Sequence, residues 1–118
     1  MSPERVYLDY LRDVLDGLQK AHVFVAGLGH EEFAKDEKTI FAVVRALEIV
    51  GEAAKQIPQD VQEKYPQVPW RQMARMRDKL IHHYFGMDLN VVWRTVEEDV
   101  PELIVKISEI ISHEDPSL

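Results

Sequence analysis

Cysteine is absent from the 118-residue sequence. Without thiols the chain forms no disulfide bond, and it has neither a thiolate nucleophile nor a thiolate ligand for a metal. Long apolar runs are also missing, since none approaches the ~18 residues that a membrane-spanning helix needs. The amino terminus lacks the apolar stretch of a signal peptide. These absences predict a soluble protein of the cytoplasm, with no membrane among its partners.

Positive charge is scarce, and it is concentrated in one segment. The sequence has 14 Lys and Arg residues against 21 Asp and Glu residues, which gives a formal net charge of −7. An acidic chain is a poor general binder of nucleic acid, because phosphate attraction supplies most of the non-specific affinity. Four basic residues nevertheless lie close together: Arg71, Arg75, Arg77 and Lys79. Any function on nucleic acid must therefore depend on this segment.

Four segments have helical periodicity, and none shows the sustained alternation of a β-strand. The first begins at Pro3, a residue suited to the first helical position, and ends near Gly27. The second runs from Glu37 to Ile57. Gly51 lies on the apolar stripe of this second helix, which predicts a close contact with another helix there.

The third and fourth helices follow a proline-rich loop. The third is predicted from Trp70 to about Tyr84. The fourth begins near Asn90, with Asp88 as a plausible cap. Pro101 lies inside the fourth segment, which indicates either a kink or two helices placed end to end.

The connections and the apolar content define the expected fold. Residues 30–36 and 58–69 are connections with room for one short helical turn each. Hydrophobic residues make up 46% of the chain, enough for one core. We therefore predict an all-α, up-down bundle of four to five helices in a single domain over residues 1–112. A polar, frayed tail is expected over residues 113–118.

On a helical wheel, the third helix separates into an apolar side and a cationic, titratable side. The apolar positions are Met73, Met76, Leu80 and Tyr84. The opposite side carries Arg71, Arg75, Asp78, Lys79 and His82. Asp78 and His82 are four residues apart, so the carboxylate is placed to orient the imidazole. Arg77 lies beside the apolar side, about 140° from His82.

Simpler explanations of this segment remain open on the residues alone. A solvated face with several cations is common on helices, and an exposed histidine usually has no special role. Asp78 and His82 supply only two ligands for a metal, and no third has a suitable spacing, so no metal site is predicted. The few serines lie at or near helix ends, which gives Ser/His/Asp catalysis little support. No Gly-rich phosphate loop is present.

Residues 77–84, Arg-Asp-Lys-Leu-Ile-His-His-Tyr, have the form R-x4-H-x-Y. This pattern resembles the signature of the HEPN superfamily, and specifically that of the HepT toxins of HepT/MntA toxin–antitoxin pairs. The similarity extends to flanking blocks in the same order and spacing. These blocks lie at residues 46–55, 69–70, 82–88, 92–93 and 99–103. Together they extend the resemblance over most of the chain, from about residue 5 to 112.

The resemblance implies a HEPN-like bundle that forms a homodimer, in which the R-x4-H motifs of two subunits meet. It also implies a metal-independent endoribonuclease that uses no cofactor. By this resemblance His82 is the general acid/base that acts on the ribose 2′-hydroxyl, and Arg77 stabilises the charge that develops on the phosphate. The expected RNA-binding residues are then the cationic ones, Arg71, Arg75 and Lys79.

Two positions next to the motif carry further implications. Tyr84 matches the tyrosine that an MntA-type nucleotidyltransferase antitoxin modifies with AMP, and a bulky anionic group there would block the entry of RNA. Asp78 departs from the small polar residue, often asparagine, that follows the arginine in HepT proteins. It adds negative charge, but it can still support His82 by orienting its ring.

Two questions stay open at this point. On a straight helix Arg77 and His82 do not share a face, so either the helix is distorted near its end or each site combines residues of two chains. The main alternative to a nuclease is a non-catalytic HEPN module that binds a partner nucleotidyltransferase or a nucleotide. The acidic net charge and Asp78 favour this module, whereas the intact Arg77, His82 and Tyr84 favour the nuclease. A plain helical dimerisation domain is a third hypothesis.

Overall fold

The computed structural model describes the backbone of residues 3–82 and 88–117, and the side chains of residues 6–76 and 88–117. Within these ranges all regular structure is helical, which confirms the predicted all-α fold. The last part of the predicted third helix, including Tyr84, lies outside the described residues. No helix in the described part combines the length and the apolar character needed to cross a membrane.

The first half of the chain forms a helical hairpin with a short helix at its corner. Helix α1 spans Pro3–Phe24, as the proline at its start predicts, and α2 spans His30–Lys35. Gly27 has a φ of +80°, a left-handed conformation that favours glycine in the turn between them. The connection expected at residues 30–36 therefore contains a helix. Asp36 then caps the next helix, since its Oδ1 accepts a 3.1 Å hydrogen bond from the amide of Thr39.

Helix α3 spans Glu37–Ala54 and ends three residues before the predicted Ile57. The chain tightens at this end, because the amide of Gln56 bonds to the carbonyl of Ala53 at 3.0 Å and that of Ile57 to the carbonyl of Ala54 at 3.2 Å. These i−3 bonds are typical of the last turn at a helix end. The apolar pattern continues through the turn, since Ile57 is still buried.

Two more helices follow in the middle of the chain. Helix α4 spans Gln59–Lys64, where the sequence indicated at most a short turn, and α5 spans Trp70–His82. Trp70 fixes the start of α5, because its indole Nε1 donates a 3.0 Å hydrogen bond to the carbonyl of Tyr65 and its ring is buried. The predicted start of the third helix is thus confirmed.

The predicted fourth helix is a continuous rod of three parts. Helix α6 spans Leu89–Arg94, a π-helical segment spans Thr95–Asp99, and α7 spans Val100–Glu114. Asp88 caps the rod as predicted, since its Oδ1 accepts a 3.0 Å hydrogen bond from the amide of Asn90. The amide of Val100 bonds to the carbonyl of Thr95, five residues back. The extra residue in this turn makes room before Pro101, which has no amide hydrogen to donate.

The carboxyl end of the rod is held against the rest of the bundle by a cluster that we name the C-terminal clasp: Glu114 with its three donors. The hydroxyl of Tyr7 donates to the Glu114 carboxylate at 2.7 Å, the hydroxyl of Tyr65 at 2.5 Å and Nζ of Lys64 at 2.7 Å. Beside it, Arg12 forms an ion pair with the buried Asp115. The expected fraying from His113 onward was therefore wrong for these residues.

The helices pack around α1 and α3. Helix α3 packs against α1 on one side and α5 on the other, and α7 packs against α1. The core lies between them, and its largest fully buried aliphatic residues include Leu11, Val14, Leu18, Val43, Leu47, Val50, Val100 and Ile107. Burial of this apolar surface is the main favourable contribution to folding. The arrangement agrees with the predicted HEPN-like bundle.

Gly17 marks a close approach of α1 and α3, at a position that the periodicity did not single out. A Cβ atom at Gly17 would lie 2.7 Å from Cγ2 of Val50 and 3.0 Å from the carbonyl oxygen of Ala46. Both distances are shorter than real Cβ atoms normally tolerate. Gly51, where the close contact was expected, is buried in α3.

We expect the substitution Gly17→Ala to destabilise the protein, although alanine is the better helix former by about 1 kcal/mol. The clash with α3 outweighs that gain, and the free energy of unfolding should fall by about 1–3 kcal/mol. Urea denaturation followed by circular dichroism measures the change. Because Val50→Ala removes the nearest atom, adding it to Gly17→Ala should cost less than the sum of the two single changes. Simple additivity would contradict the close approach.

Candidate nucleic-acid interface on helix α5

The first half of α5 has the orientation that the helical wheel predicts. Arg71 and Arg75 are exposed, whereas Met73 is 1% exposed and Met76 is half-buried against the core. Two cations one helical turn apart therefore face the solvent. Met73 and Met76 lie on the inner side of the helix, which packs on α3. This exposed pair is the described part of the cationic side.

The second half of α5 continues the same helix. The backbone is α-helical through His82, so positions 78, 79 and 82 keep the register of Arg71 and Arg75. The side chains of Arg77, Asp78, Lys79 and His82 lie outside the described residues, as does the whole of Tyr84. The structure therefore leaves the assignment of these five residues as a prediction from sequence.

A cleft lies beside α5, on the side away from Arg71 and Arg75. It has a volume of about 510 Å³ and separates α5 from the rod formed by α6, the π segment and α7. Its floor is apolar and includes Leu47, Met73, Val92 and Leu103. Its polar rim includes Asp88, Asp99, Glu102 and Lys106. We name this feature the α5–rod cleft.

Sequence reasoning missed the α5–rod cleft, although one signal of it was present. Residues of the rod that line the cleft recur every three or four positions from Asp88 to Lys106, and apolar and acidic side chains share this one stripe. Val92 and Leu103 also fit the apolar stripe of an ordinary core helix. A fully packed helix face carries few carboxylates, so the acidic residues within the stripe mark it as partly open.

Trp93, which the sequence left unassigned, joins α2 to the rod. Its ring stacks on His30 with the centroids 5.5 Å apart and the planes 3° apart. Its ring centroid also lies 5.3 Å from that of the buried Phe33. His30 is exposed, and its ring takes part in this stack. The contact is structural, since it fixes the start of α2 on α6.

Among the described residues, the carboxylates and the phenol with shifted pKa values lie outside the exposed cationic side of α5. In the C-terminal clasp, hydrogen bonds from Lys64 and Tyr65 lower the pKa of Glu114 to about 2. Burial, followed by the hydrogen bond to Glu114, raises the pKa of the Tyr65 hydroxyl. Hydrogen bonds from Thr39 lower the pKa of Asp36 at the α3 cap, and bonds from Ser117 lower that of Asp115. All four groups have structural roles in capping or closing the bundle.

The described residues do not bring together a metal-binding cluster. Among them, no three histidine, aspartate or glutamate side chains are close enough to hold one ion. The three rim carboxylates of the α5–rod cleft are among these described side chains and do not form such a cluster. The cleft is therefore characterised by its apolar floor and its negative charge, and the described half of α5 by its exposed arginines.

Comparison with known proteins identifies the family. The chain matches the family described as "Ribonuclease HepT-like" over residues 14–110. It is 50% identical over 107 residues to a protein of Thermococcus cleftensis named "Probable ribonuclease HepT". This alignment covers 91% of this chain and 97% of the relative. It is 47% identical over 109 residues to a protein of Methanocaldococcus jannaschii that is provisionally named an RNase. That alignment covers 92% of this chain and 90% of the relative.

A further relative comes from a bacterium. The chain is 40% identical over 114 residues to a protein of Caldanaerobacter subterraneus, also provisionally named an RNase, with 97% of this chain and 99% of the relative covered. No solved structure matches the chain. The family match covers well over half of the sequence and agrees with the all-helical fold and the R-x4-H-x-Y segment. The chain therefore belongs to the HepT-like ribonuclease family.

Proposed function

We propose that the protein is a metal-independent endoribonuclease and the toxin of a toxin–antitoxin pair. Its site is built from Arg77 and His82, and its activity is restrained by AMP modification of Tyr84. The strongest support is that the R-x4-H motif lies on one helix of a HepT-like chain, and that this helix exposes Arg71 and Arg75, six and two residues before Arg77. Relatives that carry ribonuclease names add to this support.

The chemistry needs only groups that this segment supplies. His82 removes the proton from a ribose 2′-hydroxyl, and the resulting oxygen attacks the adjacent phosphorus. The bond from phosphorus to the 5′-oxygen breaks, that oxygen takes up a proton, and a 2′,3′-cyclic phosphate remains. Arg77 stabilises the negative charge that builds up on the phosphate oxygens. Asp78 supports His82, four residues away on the same helix, by orienting its ring.

RNA binding draws on the exposed cations of α5. Arg71 and Arg75 lie on the solvent side, and Lys79 continues their register by one more turn of backbone. Phosphate contacts of this kind position the strand without reading its sequence. A cationic stripe on one helix is compatible with a net charge of −7, because salt screens acidic residues more than about 10 Å away.

A shared site in a homodimer fits the geometry of the backbone. Helix α5 is α-helical from Trp70 to His82, so positions 77 and 82 point about 140° apart. One chain therefore does not aim both side chains at the same phosphate without a distortion of the helix, whereas Arg77 of one subunit and His82 of another can meet. Exposed apolar side chains on α1 and α3, such as Val23 at 64% and Phe41 at 54%, offer surface for a second copy.

Regulation would act at Tyr84, two residues after His82. A nucleotidyltransferase antitoxin of the MntA type transfers AMP from ATP to the tyrosine hydroxyl and releases pyrophosphate. The bound adenylyl group adds bulk and negative charge next to the site, and both oppose the approach of an RNA phosphate. The toxin and its partner enzyme thus form one switch.

Cleavage of RNA by the purified chain in the presence of EDTA tests the proposed activity. We expect the wild-type protein to cleave, and Arg77→Ala and His82→Ala each to lower the rate by about 100- to 10,000-fold, the range for a lost general base or a lost charge stabiliser. The products of the wild type should end in a 2′,3′-cyclic phosphate. The rates are measured on a labelled single-stranded RNA.

The matched controls are Arg45→Ala and His22→Ala, which remove an exposed arginine of α3 and an exposed histidine of α1. Both should cleave at the wild-type rate, and circular dichroism should show that all four variants fold. Cleavage that survives in Arg77→Ala and His82→Ala would assign the activity to another site. A wild type that is dimeric and unmodified but inactive on several RNA pools would favour the non-catalytic docking module.

A further inference from the structure

The α5–rod cleft lies between two elements that pack on different helices of the bundle. Helix α5 packs on α3, and the rod packs on α1 through α7. Between them, the side chains of Met73, Val92 and Leu103 form an apolar floor over Leu47. A cleft of about 510 Å³ lies within the size range of binding pockets in proteins, and an apolar floor is their usual lining.

The shape of the cleft favours a long occupant. The rod lines the cleft from Asp88 to Lys106 with one residue or pair per turn, including Val91, Thr95 and Asp99. At 1.5 Å per residue this stripe is about 27 Å long. The described residues on the α5 side line the groove from Pro69 to Met76, about two helical turns, and the groove continues along the rod. This shape accommodates a third helix, with apolar side chains spaced by three and four residues against the floor.

The charge of the cleft defines the chemistry of that helix. Among the described residues, three carboxylates, those of Asp88, Asp99 and Glu102, lie on the rim with one cation, Lys106. Lys106 is already engaged, since its Nζ lies 3.1 Å from Glu102 and donates a 3.2 Å hydrogen bond to the carbonyl of Gln67. The rim is therefore negative, which repels RNA phosphates and anionic lipids and attracts lysine or arginine side chains.

The cleft and the cationic side of α5 lie on different faces of the same helix. Met73 and Met76 line the cleft, whereas Arg71 and Arg75 face the solvent on the other side. An occupant of the cleft thus leaves both arginines uncovered. The following inference stands on this cleft alone and does not depend on the proposed nuclease.

We propose that the α5–rod cleft is a docking site for a basic amphipathic helix of another protein. The apolar side chains of that helix lie on the cleft floor, and its lysines or arginines pair with Asp99 and Glu102. The π segment contributes to the site, because Thr95 and Asp99 both belong to it and both line the cleft. Such segments occur frequently at functional sites.

A synthetic helix provides the first test. The probe has about 18 residues, leucines spaced by three and four, and lysines and arginines along both flanks. Its counterpart has glutamates in place of the basic residues. At ~0.15 M salt, fluorescence anisotropy should show saturable, one-to-one binding of the basic probe, at least about ten-fold tighter than that of the acidic probe.

The methionines locate the binding site. Met73 and Met76 are two of only four methionines in the sequence, and both line the cleft. In the protein labelled with 13C at its methionine methyl groups, the basic probe should shift the signals of both, which are assigned with Met73→Leu and Met76→Leu.

Two pairs of variants distinguish binding of the probe in the cleft from its non-specific attraction to an acidic protein. Asp99→Lys should lower the affinity for the basic probe by about five- to ten-fold. Glu98→Lys makes the same charge change on an exposed neighbour outside the cleft, and it should lower the affinity less than about two-fold. Val91→Asn should cost about ten-fold in affinity through lost apolar contact. Its control, Val105→Asn, lies outside the cleft on α7 and is exposed.

Thermal unfolding by circular dichroism confirms that each variant is folded. An equal loss of affinity in Asp99→Lys and Glu98→Lys would show that net charge alone attracts the probe, and the docking site would be rejected. The same conclusion follows if the basic probe does not bind saturably, or if it binds without shifting the Met73 and Met76 signals.

Discussion

A mixture of Arg77→Ala and His82→Ala chains is expected to recover about a quarter of the wild-type cleavage rate, although each variant alone is inactive. Random pairing in a two-fold symmetric dimer makes about half of the dimers mixed. If each site takes Arg77 from one subunit and His82 from the other, a mixed dimer has one intact site and one that lacks both residues. One working site in half of the dimers gives about a quarter of the sites.

The structural reason for this expectation is the regular backbone of α5. The helix is α-helical through His82, and five residues of α-helix turn by about 500°, which leaves positions 77 and 82 about 140° apart. A π or 3₁₀ turn between them would change that angle, but none occurs within Trp70–His82. Two backbone positions separated in this way are brought to a common phosphate more easily by two helices than by one.

The two variants should be co-refolded, so that subunits exchange even if the native dimer is tight. The matched control mixes Arg77→Ala with the double variant Arg77→Ala/His82→Ala, a pairing in which no site has both groups under either arrangement. That mixture should remain inactive. If tagged, isolated mixed dimers of the single variants are also inactive, the site lies within one chain or needs more than one copy of each residue, and the shared arrangement is excluded.

Local signals predicted the helices well because they depend on neighbours in sequence. Pro3, Asp88 and the spacing of Met73 and Met76 all act within one or two turns, and the structure agrees with each of them. The same reasoning overextended α3 to Ile57, because the buried apolar pattern continues where the backbone has already tightened into a turn. Burial and helical geometry are separate properties, and the pattern of apolar residues reports only the first.

The remaining features depend on contacts between distant residues. Gly17 has no local signature, and its importance comes from Val50 on another helix. Glu114 and Asp115 read as part of a polar tail, yet the partners of Glu114 include Tyr7, which is 107 residues away. The α5–rod cleft arises from the placement of α5 on α3 and of the rod on α1, which no periodicity expresses. Sequence therefore predicts the elements and the motif, and the way the helices meet decides the rest.

The largest stability effect is expected at the C-terminal clasp, in the variant Glu114→Ala. Two phenol hydroxyls and one ammonium group converge on this carboxylate, which is 8% exposed. Removing it deletes three hydrogen bonds to one carboxylate, and at about 1 kcal/mol for each we expect the free energy of unfolding to fall by about 3 kcal/mol. At ~4 °C per kcal/mol for a domain of this size, the midpoint of thermal unfolding should fall by about 12 °C.

The pH dependence identifies the ionised carboxylate as the stabilising group. The hydrogen bonds of Lys64 and Tyr65 lower the pKa of Glu114 from 4.5 to about 2 in the folded protein. Below pH 4.5 the unfolded chain therefore binds a proton that the folded chain does not, and the balance shifts toward unfolding. The contribution of Glu114 is complete above pH 4.5, fades as the pH falls, and is lost below about pH 2.

The neutral variant Glu114→Gln tests this window, with Glu109→Gln on the exposed side of the same helix as the matched control. Urea unfolding is compared at pH 7, 4 and 2.5. The stability gap between wild type and Glu114→Gln should be largest at pH 7 and should narrow toward pH 2.5, because the carboxylate then contributes less. Glu109→Gln should lie close to the wild type throughout. A gap that stays constant across this range would mean that the clasp stabilises the fold through its shape and packing, and that its charge contributes little.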